Sequence, residues 1–173
     1  MQNSNSNFIH LHTHSEYSLV DGMIRVKDLV NEAKVRGHSH IALTDHGNMF
    51  GAIDFYMAAK AADVIPILGC EIFHSGGEAT AFYSESAGNK LPDAGAFHLV
   101  LLAKNTAGYK KLLKIVSSGY IENLHDIPIC PDSVIDQYCG DDLVCLSACQ
   151  RGNSHTLYAP LDTNIPWINL SST

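Results

Sequence analysis

The chain has 173 residues, 46% of them apolar, which suits a single globular domain with a sizeable core. Eleven basic residues against eighteen acidic ones, a formal charge of -7, exclude a nonspecific duplex-binding surface built from clustered Lys and Arg, although a local patch or a partner domain can still bring nucleic acid to a site. The 5 cysteines (Cys70, Cys130, Cys139, Cys145 and Cys149) are odd in number and include no CxxC pair, so neither a disulfide scaffold nor a zinc knuckle is indicated and a reducing cytoplasm fits; no leader and no membrane-spanning apolar run is expected.

Residues 1–7, MQNSNSN, read as a flexible polar lead. Phe8–Thr13 alternates as a first strand, and a polar loop then runs through Ser15, Glu16 and Ser18 to Asp21-Gly22. Val26, Leu29, Val30 and Ala33 recur at helical spacing, with Gly37 placed to end the helix. His40–Thr44 predicts a short buried strand that ends in Asp45-His46-Gly47. Gly47 and Gly51 permit a tight strand-to-helix turn before Ala52–Ala62, which is rich in helix formers. Val64–Leu68 is the next strand, closed by Gly69-Cys70-Glu71, and the small polar residues from Phe73 to Ala96 read as a long loop or irregular hairpin. Phe97–Ala103 is a strongly apolar strand, Ala107–Ser117 an amphipathic helix with Leu112, Leu113 and Val116 inward, Ser133–Tyr138 a short helix, and Asp142–Ser147 a further strand. The alternation predicts a parallel α/β architecture with functional residues at strand C-termini, as in a barrel or an open sheet. From Asn153 to Thr173 the helix period disappears, and the segment reads as an irregular tail.

The chemistry-bearing residues cluster at these strand ends. In an extended strand, residues two apart share a face, so His10, His12 and His14 are spaced about 7 Å apart at Cα and two of them can converge on a cation or bracket a pair; alternating histidines can equally line a half-buried strand. Asp45 either ligates or orients a ligand, or caps the next turn, while His46 either points into the same pocket or packs. Glu71 either bridges two cations or solvates a loop. His98, in the buried strand FHLVLLA, needs a partner that a metal or one backbone hydrogen bond can supply. Cys149 supplies a thiolate or fills core. Arg25 and Lys27 are candidates for phosphate contact or simply the solvated start of a helix. Imidazoles from one strand and carboxylates from others would together hold two or three divalent ions able to activate water and stabilise a leaving oxygen. No serine-hydrolase elbow, GxxxxGK loop or dinucleotide fingerprint competes with that reading.

The stretches HLHTHSEYSLVDG, IALTDHGNMFGAIDFYMAAKAA, IPILGCEIF and FHLVLLAKNTAGYKKLLKIVSSGY resemble the amino-terminal PHP (polymerase and histidinol phosphatase) domain of bacterial DNA polymerase III alpha subunits, from about Phe8 to Gly152. The resemblance implies a distorted (β/α)7 barrel, here incomplete, over residues 8–152, with the tail 153–173 divergent. It implies metal ligands at His12, His14, Asp21, His46, Glu71, His98 and Cys149, with His10 and Asp45 beside them and no catalytic residue assigned. It further implies two or three zinc or manganese ions in an intact site, fewer here, and a structural and metal-binding role in DNA replication, or alternatively autonomous phosphoesterase or 3′-5′ exonuclease activity. The polymerase core, the proofreading exonuclease subunit and DNA are the partners implied for the parent protein. A complete member continues for roughly a hundred residues more and supplies a late Asp-x-His pair, whereas Asp162 here is followed by Thr163 and Asn164; the polymerase segments are likewise missing, so a truncated chain unable to polymerise DNA alone is expected.

Overall fold

The computed structural model describes residues 8–19, 21–75, 96–122 and 127–148. The polar lead, most of the segment expected as a long loop, Cys149 and the tail from 153 lie outside the described residues.

Helix α1 (Val26–Val35) buries Val26, Leu29, Val30 and Ala33, the four positions whose spacing marks it. It stops because Gly37 takes φ 76°, letting its N–H reach Lys34 O at 3.0 Å and the His38 N–H reach Ala33 O at 2.9 Å, the paired bonds of a Schellman turn. Strand β1 (His40–Leu43) follows. Helix α2 (Ala52–Ala61) ends in the same bond pattern, with Asp63 at φ 57° where α1 has a glycine, and leads into β2 (Ile65–His74). Strand β3 (Phe97–Ala103) precedes α3 (Thr106–Ile121), whose N-cap Asn105 accepts the Gly108 N–H at 2.9 Å. The two-residue β4 (Ile129–Cys130), α4 (Asp132–Tyr138) and β5 (Leu143–Leu146) complete the described elements.

These strands form one five-stranded sheet in the order β1-β2-β3-β5, with β4 also paired to β2. The mixed α/β class agrees with expectation, but the parallel arrangement does not. β1 and β4 run parallel to β2, whereas β3 is antiparallel to both β2 and β5. The polar residues after His74 carry no helix period, and a parallel return to the sheet needs a crossover of a dozen or more residues that is usually helical. A second correction concerns β2, which does not close at Gly69 but runs on to His74. Its first half pairs with β1 and its second half with β3, so Glu71 lies within a paired strand rather than in a loop. A third concerns Phe8–Thr13, which lies beside β1 without forming a regular strand. Ala42 N–H bonds His10 O and Thr44 N–H bonds Thr13 O, three residues on one side against two on the other, an offset of the bulge kind that breaks a ladder.

Helices cover one face of the sheet. Phe55 and Ala59 of α2 and the apolar stripe of α1 pack on Ile41 and Leu43, while Leu112 and Ile115 of α3 and Ile135 of α4 pack on Ile72, Leu99, Leu101 and Cys145. On the opposite face Ala42, Val100, Leu102 and Leu146 form a separate layer with Leu11, Ile67, Val144 and Ala148. Because side chains alternate along a strand, Ile67, Glu71 and Phe73 of β2 share this second face with His98, Val100 and Leu102 of β3. The candidate ligands stand at its rim.

Candidate metal centre

Register brings the centre together. The β1·β2 pairing that matches His40 with Ile65 continues past the end of β1, so that His46 forms an isolated parallel bridge with Glu71, fixed by Gly47 N–H to Glu71 O at 2.8 Å and Glu71 N–H to Asp45 O at 3.1 Å. On the other side of β2, Phe73 is registered with His98 at the start of β3. The antiparallel direction of β3 thus delivers His98 to the same rim from the amino-terminal end of its strand.

Glu71 is the hub. Its side chain is 1% exposed, with Oε1 2.9 Å from His98 Nδ1 and Oε2 2.9 Å from His12 Nε2, 3.1 Å from His14 Nε2 and 3.2 Å from His46 Nδ1. Two groups of ligand atoms result, His12–His14–Glu71 and His46–Glu71–His98, each with its atoms within 4.8 Å of one another and both sharing the one carboxylate. Oε2 faces His12, His14 and His46 while Oε1 faces His98, so the one carboxylate reaches both imidazole sets, as a bridging ligand does.

The donor set fits a cation better than it fits hydrogen bonds alone. His12 Nε2 and His14 Nε2 lie 3.1 Å apart while both face Glu71 Oε2, so not every nitrogen in the group can be a donor with an acceptor of its own. His46 Nδ1 is buried and makes no hydrogen bond despite its approach to Glu71. Unprotonated imidazole nitrogens and an ionised carboxylate are the ligand forms a divalent ion requires.

Protonation tendencies follow the same geometry. Burial pushes the Glu71 carboxyl up, but the bonds from His12, His14 and His98 outweigh it and hold the group well below the usual carboxylate range. Burial pulls His14 down, yet Glu71, Asp21 and Asp45 together raise it above its ordinary value. His46, stacked on His14 at 4.1 Å with ring planes 12° apart, is lowered by burial and by the neighbouring His14 charge, against the pull of Glu71 and Asp21. A proton therefore settles on His14 in preference to His46.

The remaining candidates separate. Asp21 is exposed and bonds His46 Nε2 at 3.0 Å, so it touches the cluster from the solvent side. Asp45 is buried and accepts from Ser15 N–H at 2.6 Å, Ser15 Oγ at 2.8 Å and Ser18 Oγ at 2.7 Å; its lone pairs organise the 15–18 loop. Ser18 Oγ in turn accepts the His46 backbone N–H at 3.1 Å and lies 3.4 Å from His14 Nδ1, so Asp45 positions both imidazoles through it. His10 lies outside the cluster, with its ring edge-on to Phe8 and His38. Arg25 and Lys27 are exposed at the start of α1. Cys149 is outside the described residues.

Sequence reasoning missed Ser15, Ser18 and Phe73. The Phe73 ring is stacked toward His46 at 5.9 Å and edge-on to His98 at 5.0 Å, forming an apolar wall behind both. Gly47, at φ 61°, is what admits it, since a Cβ there would lie 3.0 Å from Phe73 and 3.0 Å from Pro128. A phenylalanine two residues after a glutamate is an ordinary strand residue, and serines in a polar loop carry no distinguishing pattern.

An α/β sheet with a rim of imidazoles gathered on one buried glutamate offers the donor set of a divalent-metal site. The chain belongs to the PHP domain family, whose model matches residues 10–165. It is 45% identical over 149 residues to the DNA polymerase III subunit alpha of Borreliella burgdorferi, a match covering 85% of this chain and 12% of that protein. The corresponding subunit of Campylobacter jejuni is 41% identical over 147 residues, again 85% of this chain and 12% of the relative, so the chain spans about an eighth of the length of the curated relatives it matches. Among solved structures, a provisionally assigned metal-dependent phosphoesterase from Bifidobacterium adolescentis overlaps partially, with a TM-score of 0.42 and 18% identity over 67% of this chain and 36% of that one. No described helix is long and apolar enough to cross a membrane.

Proposed function

We propose that the chain is the PHP portion of a DNA polymerase III alpha-type protein and serves DNA replication as a metal-binding structural module. The observation that carries this is Glu71, buried and shared between two imidazole groups, in a chain whose relatives are replicative alpha subunits. His12, His14, His46, Glu71 and His98 hold two divalent ions, zinc or manganese, with Asp21 and Cys149 completing the coordination and Asp45 orienting the imidazoles. The module, residues 8–152, is an incomplete, distorted seven-stranded barrel. Its partners are the polymerase core, the proofreading exonuclease subunit and DNA, in the cytoplasm. Elemental analysis of the purified, monodisperse protein tests this. Two ions per chain, lost in a His12→Ala/His14→Ala double variant that remains folded, are expected; a folded chain that binds no ion specifically overturns it.

One observation favours a second reading, phosphoester or 3′-5′ exonuclease chemistry at the same rim. Side chains of His12, His14 and His46 are 30%, 24% and 21% exposed while Glu71 is sealed, so the cluster is reachable from one side. Divalent ions held there would supply Lewis-acid activation of a phosphate ester and of water. The chain's own part would be to hold Glu71 ionised, keep His46 neutral and place Asp21 at the open edge. Metal-dependent nucleotide release from a single-stranded oligonucleotide, abolished in Glu71→Gln, separates this reading from a purely structural module.

A further inference from the structure

Outside the metal centre, a pair of thiols stands together among the described residues. Cys139, the half-buried C-cap of α4, has its sulfur 3.9 Å from that of Cys145, which is buried in β5 and registered with Leu101 of β3. The pair sits on the helix-covered side of the sheet, in the layer with Leu101, Leu112 and Ile135, facing away from the layer that leads to Glu71.

The two ends are held by different contacts. Cys145 is held by the β3 ladder, and the turn before it is pinned through Asp142, whose carbonyl accepts the Lys104 N–H at 3.0 Å and whose carboxylate meets Lys111 at 2.9 Å and Asn105 at 2.8 Å. Cys139 lies on the near side of that anchor. It has extended backbone after the last turn of α4, and the following Gly140 has no atom within 4 Å of where a Cβ would project. Bringing the sulfurs from 3.9 Å to a disulfide bond length of about 2.05 Å needs less than 2 Å of motion.

We propose that Cys139 and Cys145 form a redox-active dithiol that a peroxide closes to an intramolecular disulfide. The Cys139 thiolate attacks one oxygen of hydrogen peroxide, breaking the O–O bond and releasing hydroxide, which leaves a sulfenic acid on Cys139. The Cys145 sulfur then attacks Cys139 Sγ, the S–O bond breaks, and the departing hydroxide leaves as water with the Cys145 proton. Overall two thiols and one hydrogen peroxide give one disulfide and two waters. Cys139 suits the first role because it is only half-buried where Cys145 is buried, and because the contact with Cys145 and the Lys111 charge favour its thiolate against burial and Asp136, while Cys145 stays a thiol until the second step.

The test uses the whole reduced chain, treated with hydrogen peroxide under native conditions, alkylated, cleaved before aspartates and analysed by mass spectrometry without reduction. Cleavage before Asp141 and Asp142 separates the two cysteines, so their disulfide appears as a cross-linked peptide pair. The cross-link is expected in the wild type and in Cys149→Ser, and is expected to be absent from Cys139→Ser and Cys145→Ala. Far-UV circular dichroism confirms that each sample is folded. The number of bound ions is expected to be the same before and after oxidation, because the disulfide forms on the other side of the sheet. A folded wild type that keeps both thiols free, accumulates sulfinic acid on Cys139, or links Cys139 to Cys149 or Cys130 overturns the proposal.

Discussion

Glu71→Gln removes one charge and adds almost no volume, which makes it the sharpest probe of the centre. The carboxylate has four imidazole nitrogens within 3.2 Å, and its exposure is 1%. A buried hydrogen bond to a charged group contributes about 1.5–3 kcal/mol, and an amide retains only part of this because its NH2 aims a donor at nitrogens already crowded together. In the presence of chelator the variant is therefore expected to lose roughly 2–4 kcal/mol by urea denaturation, allowing for the partial loss of more than one such bond. The pH dependence has a definite sign. Since Glu71 is held below its ordinary value of 4.5, its contribution is present in full above that pH and is lost as pH falls toward the folded-state value, so the gap between wild type and variant narrows in acid. Both ligand groups share this residue, so bound metal should fall from two ions to one or none. A Gln variant that matches the wild type in chelator and still carries two ions refutes the assignment of Glu71 as bridge.

Three further outcomes follow from the geometry. Gly47→Ala places a Cβ against Phe73 and Pro128 at φ 61° and is expected to cost at least about 2 kcal/mol in denaturant while weakening metal uptake through His46. Asp63→Gly is expected to raise stability by about 0.5–1 kcal/mol, the relief of a left-handed non-glycine residue less the glycine entropy cost, as read by the urea midpoint. Metal affinity, followed by titration calorimetry, is expected to fall as pH drops through the raised His14 value, since proton and ion compete for that nitrogen; a pH-independent affinity across this range removes His14 from the ligand set.

Helices were the most legible part of the fold. The apolar period of α1 picks out its four buried residues, and Gly37 marks its end because only the left-handed region allows the two closing bonds. Strand extent and direction were harder to read. Gly69-Cys70-Glu71 looks like a strand terminus, yet Gly69 is in the ladder because Leu102 and the Leu101 carbonyl occupy the space a side chain would need, a constraint set by β3 and invisible locally. Alternation reveals which face a residue takes but not which way the strand runs, and this is why β3 was expected parallel. The two residues of β4 are too few to show any period.

In the centre, the elements closest in sequence were the easiest to find, since His-x-His and Asp-His announce themselves by spacing. What spacing cannot show is the division of labour between neighbours. Asp45 and His46 are adjacent, but the parallel bridge to Glu71 turns the imidazole toward the cluster, while three bonds from Ser15 and Ser18 hold the carboxylate in the loop. The same register argument explains His98, which reaches the rim only because β3 runs against β2 and starts where Phe73 ends. The antiparallel turn of the sheet, the feature that departs most from expectation, is thus what closes the second ligand group around Glu71.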